Sequence, residues 1–297
     1  MNELNGVFNV RKEKGLTSHD VVAAVRRMFG LRKAGHTGTL DPNATGVLPV
    51  CVGRAVKASE YFLSQPKSYV GQLILGVSTD TQDATGKTVL TRPVKWDTDM
   101  IMQAVGSFAG EIYQTPPMYS AVKVGGRKLY EIARRGETVE REPRKARVDG
   151  IAVIGSDRER NALTVRVDCG KGLYVRTLFN DIGEKLGCGG CMGDLTRIRC
   201  GPFYYEGSLA LAGLDESKLI KIEDALPFQR LNVPEAGANA LKNGNPIPMD
   251  MCEPLGPFTP VSGDYYYLMR DGVNAGIYEL VVSGGEYFFK IRTMLSQ

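Results

Sequence analysis

Asp41 sits at the centre of GHTGTLDPNATGVLP (35–49), a stretch crowded with glycine and small hydroxyl side chains. Glycine lets a backbone approach a ligand closely, and loops held by a rigid scaffold carry binding and catalytic groups disproportionately. A single carboxylate there can serve as a covalent nucleophile or a base. An isolated Asp-Pro otherwise starts a turn. The rest of the chemically active inventory is sparse. Two histidines, His19 and His36, rule out histidine-rich metal sites. Cys188-Gly-Gly-Cys191 has CxxC spacing with Cys200 nine residues on, but no fourth zinc ligand accompanies them. GxxxxGKS/T, HExxH and GxSxG do not occur.

The elements that must hold Asp41 can be read from periodicity. LTSHDVVAAVRRMFG reads as a helix with Thr17 or Ser18 as N-cap, Asp20 in the first turn and Gly30 after the end. Val21, Val25, Met28 and Phe29 form its apolar stripe. The stretch 35–57 reads as a loop ending in a short apolar run, Val47 to Val52. Tyr69 to Leu75 reads as a strand, STDTQDATG (78–86) as a polar loop and 97–108 as a helix. Gly125-Gly126 marks a turn, and Lys128 to Arg135 forms a short basic helix. LTVRVDC alternates, with Leu163, Val165, Val167 and Cys169 on one face, which predicts a half-buried strand. GLYVR then extends a neighbouring strand, placing Tyr174 and Arg176 on one face. TLFNDIGEKLG follows as a helix with Thr177 as N-cap. YYYLM, GIYELVV and EYFFKI read as short strands of a small β-rich domain.

Composition sets the class. The 297 residues allow one large or two ordinary domains, and 43% hydrophobic and 24% charged residues describe a globular chain. No run approaches the apolar length of a membrane span, and the N-terminus lacks the apolar core of a signal peptide. The expectation is therefore a cytoplasmic protein with reduced thiols. The net charge of +4 hides an asymmetry: residues 1–204 carry +9 and residues 205–297 carry −5. A basic body suits a polyanion, because phosphate neutralisation by Lys and Arg dominates non-specific nucleic-acid affinity.

GHTGTLDPNATGVLPVCVGRAVK resembles the hallmark motif of the TruB family of tRNA pseudouridine synthases. Four further blocks resemble the family in the same order: GLTSHDVV (15–22), KSYVGQLILGVSTDTQDATG (67–86), PPMYSAVKVGGRKLYEIARRG (116–136) and CGKGLYVRTLFNDIGEKLGCG (169–189). The resemblance implies an α+β pseudouridine synthase fold, with a mixed, largely antiparallel sheet and flanking helices, over residues 1–230. It also implies an RNA-gripping insertion at about 118–145 and a small β-rich, PUA-like domain over 231–297. The implied reaction isomerises uridine to pseudouridine at position 55 in the T-loop of tRNA. It needs no cofactor and no metal.

By the same resemblance Asp41 is the nucleophile, with attack on uracil C6 or ribose C1′ both open, and Arg176 pairs with it. Tyr69 stacks on the uracil, Tyr174 lines the pocket and Leu195, in GDLTRIRCGPF, forms an apolar wall. His36 enters the gap left by the flipped nucleotide. Lys123, Arg127, Lys128, Arg134 and Arg135 contact phosphates. The implied partner is the tRNA T-stem-loop, met by a monomer without membrane or obligate protein partner. Two other readings stand beside this one: a guide-RNA-dependent relative within a ribonucleoprotein, and a tRNA-folding chaperone, a role that can coexist with catalysis. Cys191 departs from the family pattern, and the acidic tail matches only weakly.

Overall fold

The structure, a computed structural model, describes residues 4–296. The larger body runs β1 (Gly6–Lys12), α1 (Ser18–Met28), β2 (Ala34–His36), β3 (Thr45–Val52), α2 (Ser59–Leu63), β4 (Lys67–Leu75), β5 (Val77–Thr79), β6 (Thr88–Thr91) and α3 (Thr98–Gly106). It continues with β7 (Gly110–Gln114), β8 (Lys123–Val124), β9 (Arg127–Lys128), α4 (Leu129–Ala133), β10 (Arg144–Asp157), β11 (Ala162–Cys169), α5 (Val175–Lys185), β12 (Gly190–Cys200) and β13 (Phe203–Tyr204). Its main sheet has the order β1-β3-β12-β4-β11-β10-β7, with β2 on β3 and β13 on β12. All its pairs are antiparallel except β3 with β12. The expected α+β class and mixed, largely antiparallel sheet are therefore observed.

Local chemistry explains the elements nearest the site. Thr17 caps α1, accepting from the Asp20 amide while Asp20 accepts from the Thr17 amide, a reciprocal capping box. Val21, Val22 and Val25 are buried, whereas Met28, which the stripe placed inside, is 46% exposed in the last turn. β11 buries Leu163, Val165, Val167 and Cys169 and leaves Thr164 and Arg166 in solvent, as its alternation requires. Asp97 caps α3, one residue before the helix begins.

One element differs from expectation. Residues 170–174 form a turn, not a strand, and α5 begins at Val175 with Tyr174 as N-cap. Gly172, at a φ of +85°, ends the extended run. Tyr174 and Arg176 are thus neighbours across a helix start and share no strand face. Thr177, expected as the cap, lies buried within the helix and donates to the Gln82 side chain (2.8 Å).

Beyond the body come α6 (Ile222–Ala225), β14 (Gln229–Asn232), α7 (Ala238–Asn243), β15 (Ile247–Pro248), β16 (Glu253–Pro254), β17 (Tyr265–Arg270), β18 (Val273–Ser283) and β19 (Glu286–Met294). They form a second sheet of order β15-β19-β18-β17-β14-β16. β14 spans residues 229–232, across the position 230/231 where the sequence placed the domain boundary. The two sheets share a core: Tyr267, Met269, Ile277 and Leu295 cluster with Val7, Val47, Tyr61 and Phe62.

Candidate active site

Asp41 lies between β2 and β3 in a loop stapled from beneath by α1. Buried Ser18 donates to the Leu40 carbonyl (3.0 Å) and accepts from the Leu40 amide (2.8 Å). Lys12, wholly buried at the end of β1, donates to the carbonyls of Glu13, Leu16 and Pro42. Burial pulls the Lys12 ammonium down to about 8, opposed by the nearby Asp41 carboxylate. At the far end of the loop, Gly46 has a φ of +104°, and a Cβ there would meet the Arg197 carbonyl at 2.2 Å. Only glycine fits where β3 runs against β12. The N-terminal TSHD motif therefore positions the loop rather than reacting. Ser18→Ala removes both Leu40 hydrogen bonds and leaves two buried groups unpaired, an expected loss of about 2–4 kcal/mol of stability. Thermal unfolding measures this, and an unchanged midpoint would contradict it.

Arg176, in the first turn of α5, reaches the Asp41 carboxylate (3.3 Å) and stands 4.0 Å from that of Asp83. It also donates to the Tyr119 carbonyl (2.6 Å), which ties the 118–145 segment to the site. Its side chain is 7% exposed against 34% for Asp41, so the guanidinium is the buried partner and the carboxylate faces the cleft. Asp83 is held by the Thr85 amide (2.9 Å) and the Thr81 and Thr85 hydroxyls. Burial pushes the Asp41 carboxyl above its ordinary value; Arg176 opposes that shift, the Asp83 charge adds to it and Lys12 opposes it.

The sign of this shift gives a test. For a catalytic Asp41 the reactive form would be the carboxylate, so activity is expected to fall as pH drops through the raised Asp41 value. Asp83→Asn removes the like charge and is expected to move the acid limb of the kcat profile to lower pH. A shift to higher pH would reject the arrangement.

Asp41 and Asp83 line a cleft of about 240 Å³ with Gln72, Ile74 and Met192, and the exposed Lys14–Asp194 pair (2.6 Å) lies at its rim. A larger cleft of about 670 Å³, around Trp96 and Cys188, contains none of these acidic groups, and its Arg92 is already paired with Glu184. The chemistry selects the smaller one.

The other expected residues fall into groups. Tyr69 on β4 is 8% exposed, opposite Val167 on one side and Arg197 on the other. Leu195 is buried on β12 and packs over Gly71, where a Cβ would meet it at 2.8 Å. Half-buried His36 accepts from the Gly38 amide (3.3 Å), and burial together with Arg197 holds its pKa below the usual histidine range, favouring the neutral ring. Half-buried Tyr174 exchanges two hydrogen bonds with Gln114, which fixes the start of α5 against β7.

Lys123, Arg127 and Lys128 lie on the hairpin β8–β9, turned by Gly125 and Gly126 at positive φ. Lys123 faces Lys128 directly across it. Like charges so placed repel, which suits a surface completed by a polyanion. Arg127 pairs with Glu137 (3.7 Å), and Lys128 and exposed Arg134 both lie over the Tyr130 ring. Exposed Arg135 makes the same face more basic.

Sequence reasoning missed Asp83, Lys12, Ser18 and Arg197. Asp83 carried a signal: the Asp-Ala-Thr sequence at 83–85 forms a side-chain turn in which Asp83 accepts from the residue two ahead. Lys12 carried none, because its partners are backbone carbonyls, and the one that ties it to the Asp41 loop, Pro42, lies thirty residues away. The cysteines do not converge: Cys188 precedes β12, Cys191 lies at its start and Cys200 at its far end.

Comparison with known proteins identifies the family. The TruB family pseudouridylate synthase N-terminal domain matches residues 26–175, and the tRNA pseudouridylate synthase B C-terminal domain matches 176–228. The chain belongs to the TruB family. Among the family's curated members, tRNA pseudouridine synthase B of Alkaliphilus oremlandii is 41% identical over 92% of this chain and 93% of its own length. The Staphylococcus aureus protein of that name is 48% identical over 71% and 72%. Of solved structures, a Cbf5–Nop10–Gar1 complex aligns with 98% of this chain and 85% of the matched chain, at 25% identity and a TM-score of 0.74. An H/ACA ribonucleoprotein bound to substrate RNA aligns at 24% identity and a TM-score of 0.73, which speaks for the TruB fold. Among the described residues no helix is long and apolar enough to cross a membrane.

Proposed function

We propose that this chain isomerises uridine to pseudouridine at position 55, in the T-loop of tRNA, with Asp41 as the nucleophile. The observation that carries the reading is the Asp41–Arg176 pair, a cleft-facing carboxylate on a buried guanidinium, within a TruB-family chain. Arg176 keeps the carboxylate charged and aimed despite burial. The N1–C1′ bond breaks, the uracil turns, a C5–C1′ bond forms, C5 loses its proton and N1 takes one up. No atom is gained or lost, so the chemistry consumes no donor.

The target base is stacked within a folded loop and must be extruded, at a cost of a few kcal/mol. Tyr69 stacks on the extruded uracil, Leu195 and Tyr174 bound the pocket, and the neutral ring of His36 fills the vacated space. Lys123, Arg127, Lys128, Arg134 and Arg135 hold phosphates from the 118–145 insertion. We assign residues 1–230 to catalysis and 231–297 to the appended β-rich domain, and place the enzyme in the cytoplasm as a monomer without obligate protein partner. Identity of 41–48% over most of the chain to proteins named tRNA pseudouridine synthase B favours this over a guide-RNA-dependent assembly. Binding is separable from chemistry, so a tRNA-folding role sits beside catalysis. Pseudouridine mapping in a bare T-stem-loop transcript treated with purified protein tests the reading. Product at the T-loop uridine supports it, and no product without an added RNA or protein would overturn it.

A further inference from the structure

Arg197 is the largest fully buried side chain described, and no ion pair among the described residues includes it. A buried guanidinium is costly and is ordinarily matched by a carboxylate. Here its hydrogen bonds go to neutral oxygens. It donates to the Val47 carbonyl (2.7 Å) and the Gly38 carbonyl (3.1 Å). Gly38 and Val47 are the two ends of the loop that carries Asp41. Tyr69 is the residue opposite Arg197 in the β4–β12 register. One rigid fork thus spans both ends of the nucleophile loop from a strand position paired with the stacking ring's own.

We propose that Arg197 is a positioning residue for the isomerisation, holding the Asp41 loop and the Tyr69 ring in fixed relation. The proposal rests on the function assigned above. A packing role alone would need no charge. A planar fork is required, because two carbonyls at opposite ends of the loop must be met at once and a lysine ammonium on a flexible stem does not hold them together. Reacting groups misplaced by about 1 Å lose about 100-fold in rate, so the effect belongs in kcat.

The test measures kcat and T-stem-loop affinity for Arg197→Lys and Arg197→Gln on the full chain. Each is expected to lower kcat about 10- to 100-fold with affinity changed less than about threefold. Wild-type kcat, or a loss confined to affinity, would overturn the proposal. Should Arg197→Lys fail to fold, Arg197→Gln decides on the same two readings. A reduced kcat at unchanged affinity supports the proposal, and wild-type kcat overturns it. Wild-type protein that forms no pseudouridine would overturn the function itself, a separate result.

Discussion

Asp41→Asn is expected to abolish pseudouridine formation, by at least about 10⁴-fold, while tRNA affinity stays within about threefold. The amide is nearly isosteric with the carboxylate, and the loop is held by contacts that do not use the Asp41 side chain. Ser18 grips Leu40, Lys12 grips Pro42, and the Ala44 amide bonds the Asp41 backbone carbonyl (3.0 Å). The geometry therefore survives. What disappears is the negative charge and the nucleophilic oxygen. Arg176 keeps Asp83 and the Tyr119 carbonyl as partners. Affinity for RNA comes chiefly from phosphate contacts, which lie on other residues, and removing an anion from the cleft does not weaken them. Pseudouridine mapping and filter binding on the same preparation measure both quantities. Product formed near the wild-type rate would remove Asp41 from the mechanism.

Deletion of residues 234–297 is expected to leave a chain that does not fold stably. The acidic tail is a brace for the body as well as an appendage. Tyr267, Met269, Ile277 and Leu295 are buried in one cluster with Val7, Val47, Tyr61 and Phe62 of the catalytic sheet and α2. Losing four such side chains forfeits roughly 10 kcal/mol of apolar burial, comparable with the whole stability of a typical domain, ~5–15 kcal/mol. Hydrogen bonds cross the same junction: Arg54 to the Leu295 carbonyl (3.2 Å), Lys57 to the Met294 carbonyl (3.2 Å) and the Tyr61 hydroxyl to Thr293 (3.1 Å). Deletion also strips β14 of its parallel partner β17. Circular dichroism and thermal unfolding of the truncated chain check this. A soluble, cooperatively melting fragment would show that the tail does not brace the body. In the intact protein the net charge of −5 over residues 205–297 argues for a modest direct contribution to RNA affinity.

Local signals were legible wherever one residue type decides a conformation. The start of α1 at Thr17 or Ser18, the alternation of β11, the Gly125-Gly126 turn and the presence of three C-terminal strands follow from residue type and spacing, although β18 and β19 run longer than the short strands expected. Reading GLYVR as a strand failed because its β-branched and aromatic residues suit extended backbone, while Gly172 and the packing of α5 impose a turn and a helix start. The exposure of Met28 was equally beyond periodicity: Val25 is buried and Phe29 stacks on Phe8 of β1, while Met28 between them stays in solvent.

The sequence by itself determined the family, the loop that presents Asp41 and the basic character of the body. These rest on residue types and short spacings, which chain order preserves. Tertiary structure alone decided that Asp83 shares Arg176 with Asp41, that Lys12 and Ser18 pin the loop, and that buried Arg197 spans Gly38 and Val47. Each of those contacts joins segments far apart in the chain. Its strength comes from burial, which lowers the local dielectric and leaves an unpaired polar group costly, and burial exists only once the sheet has closed over them.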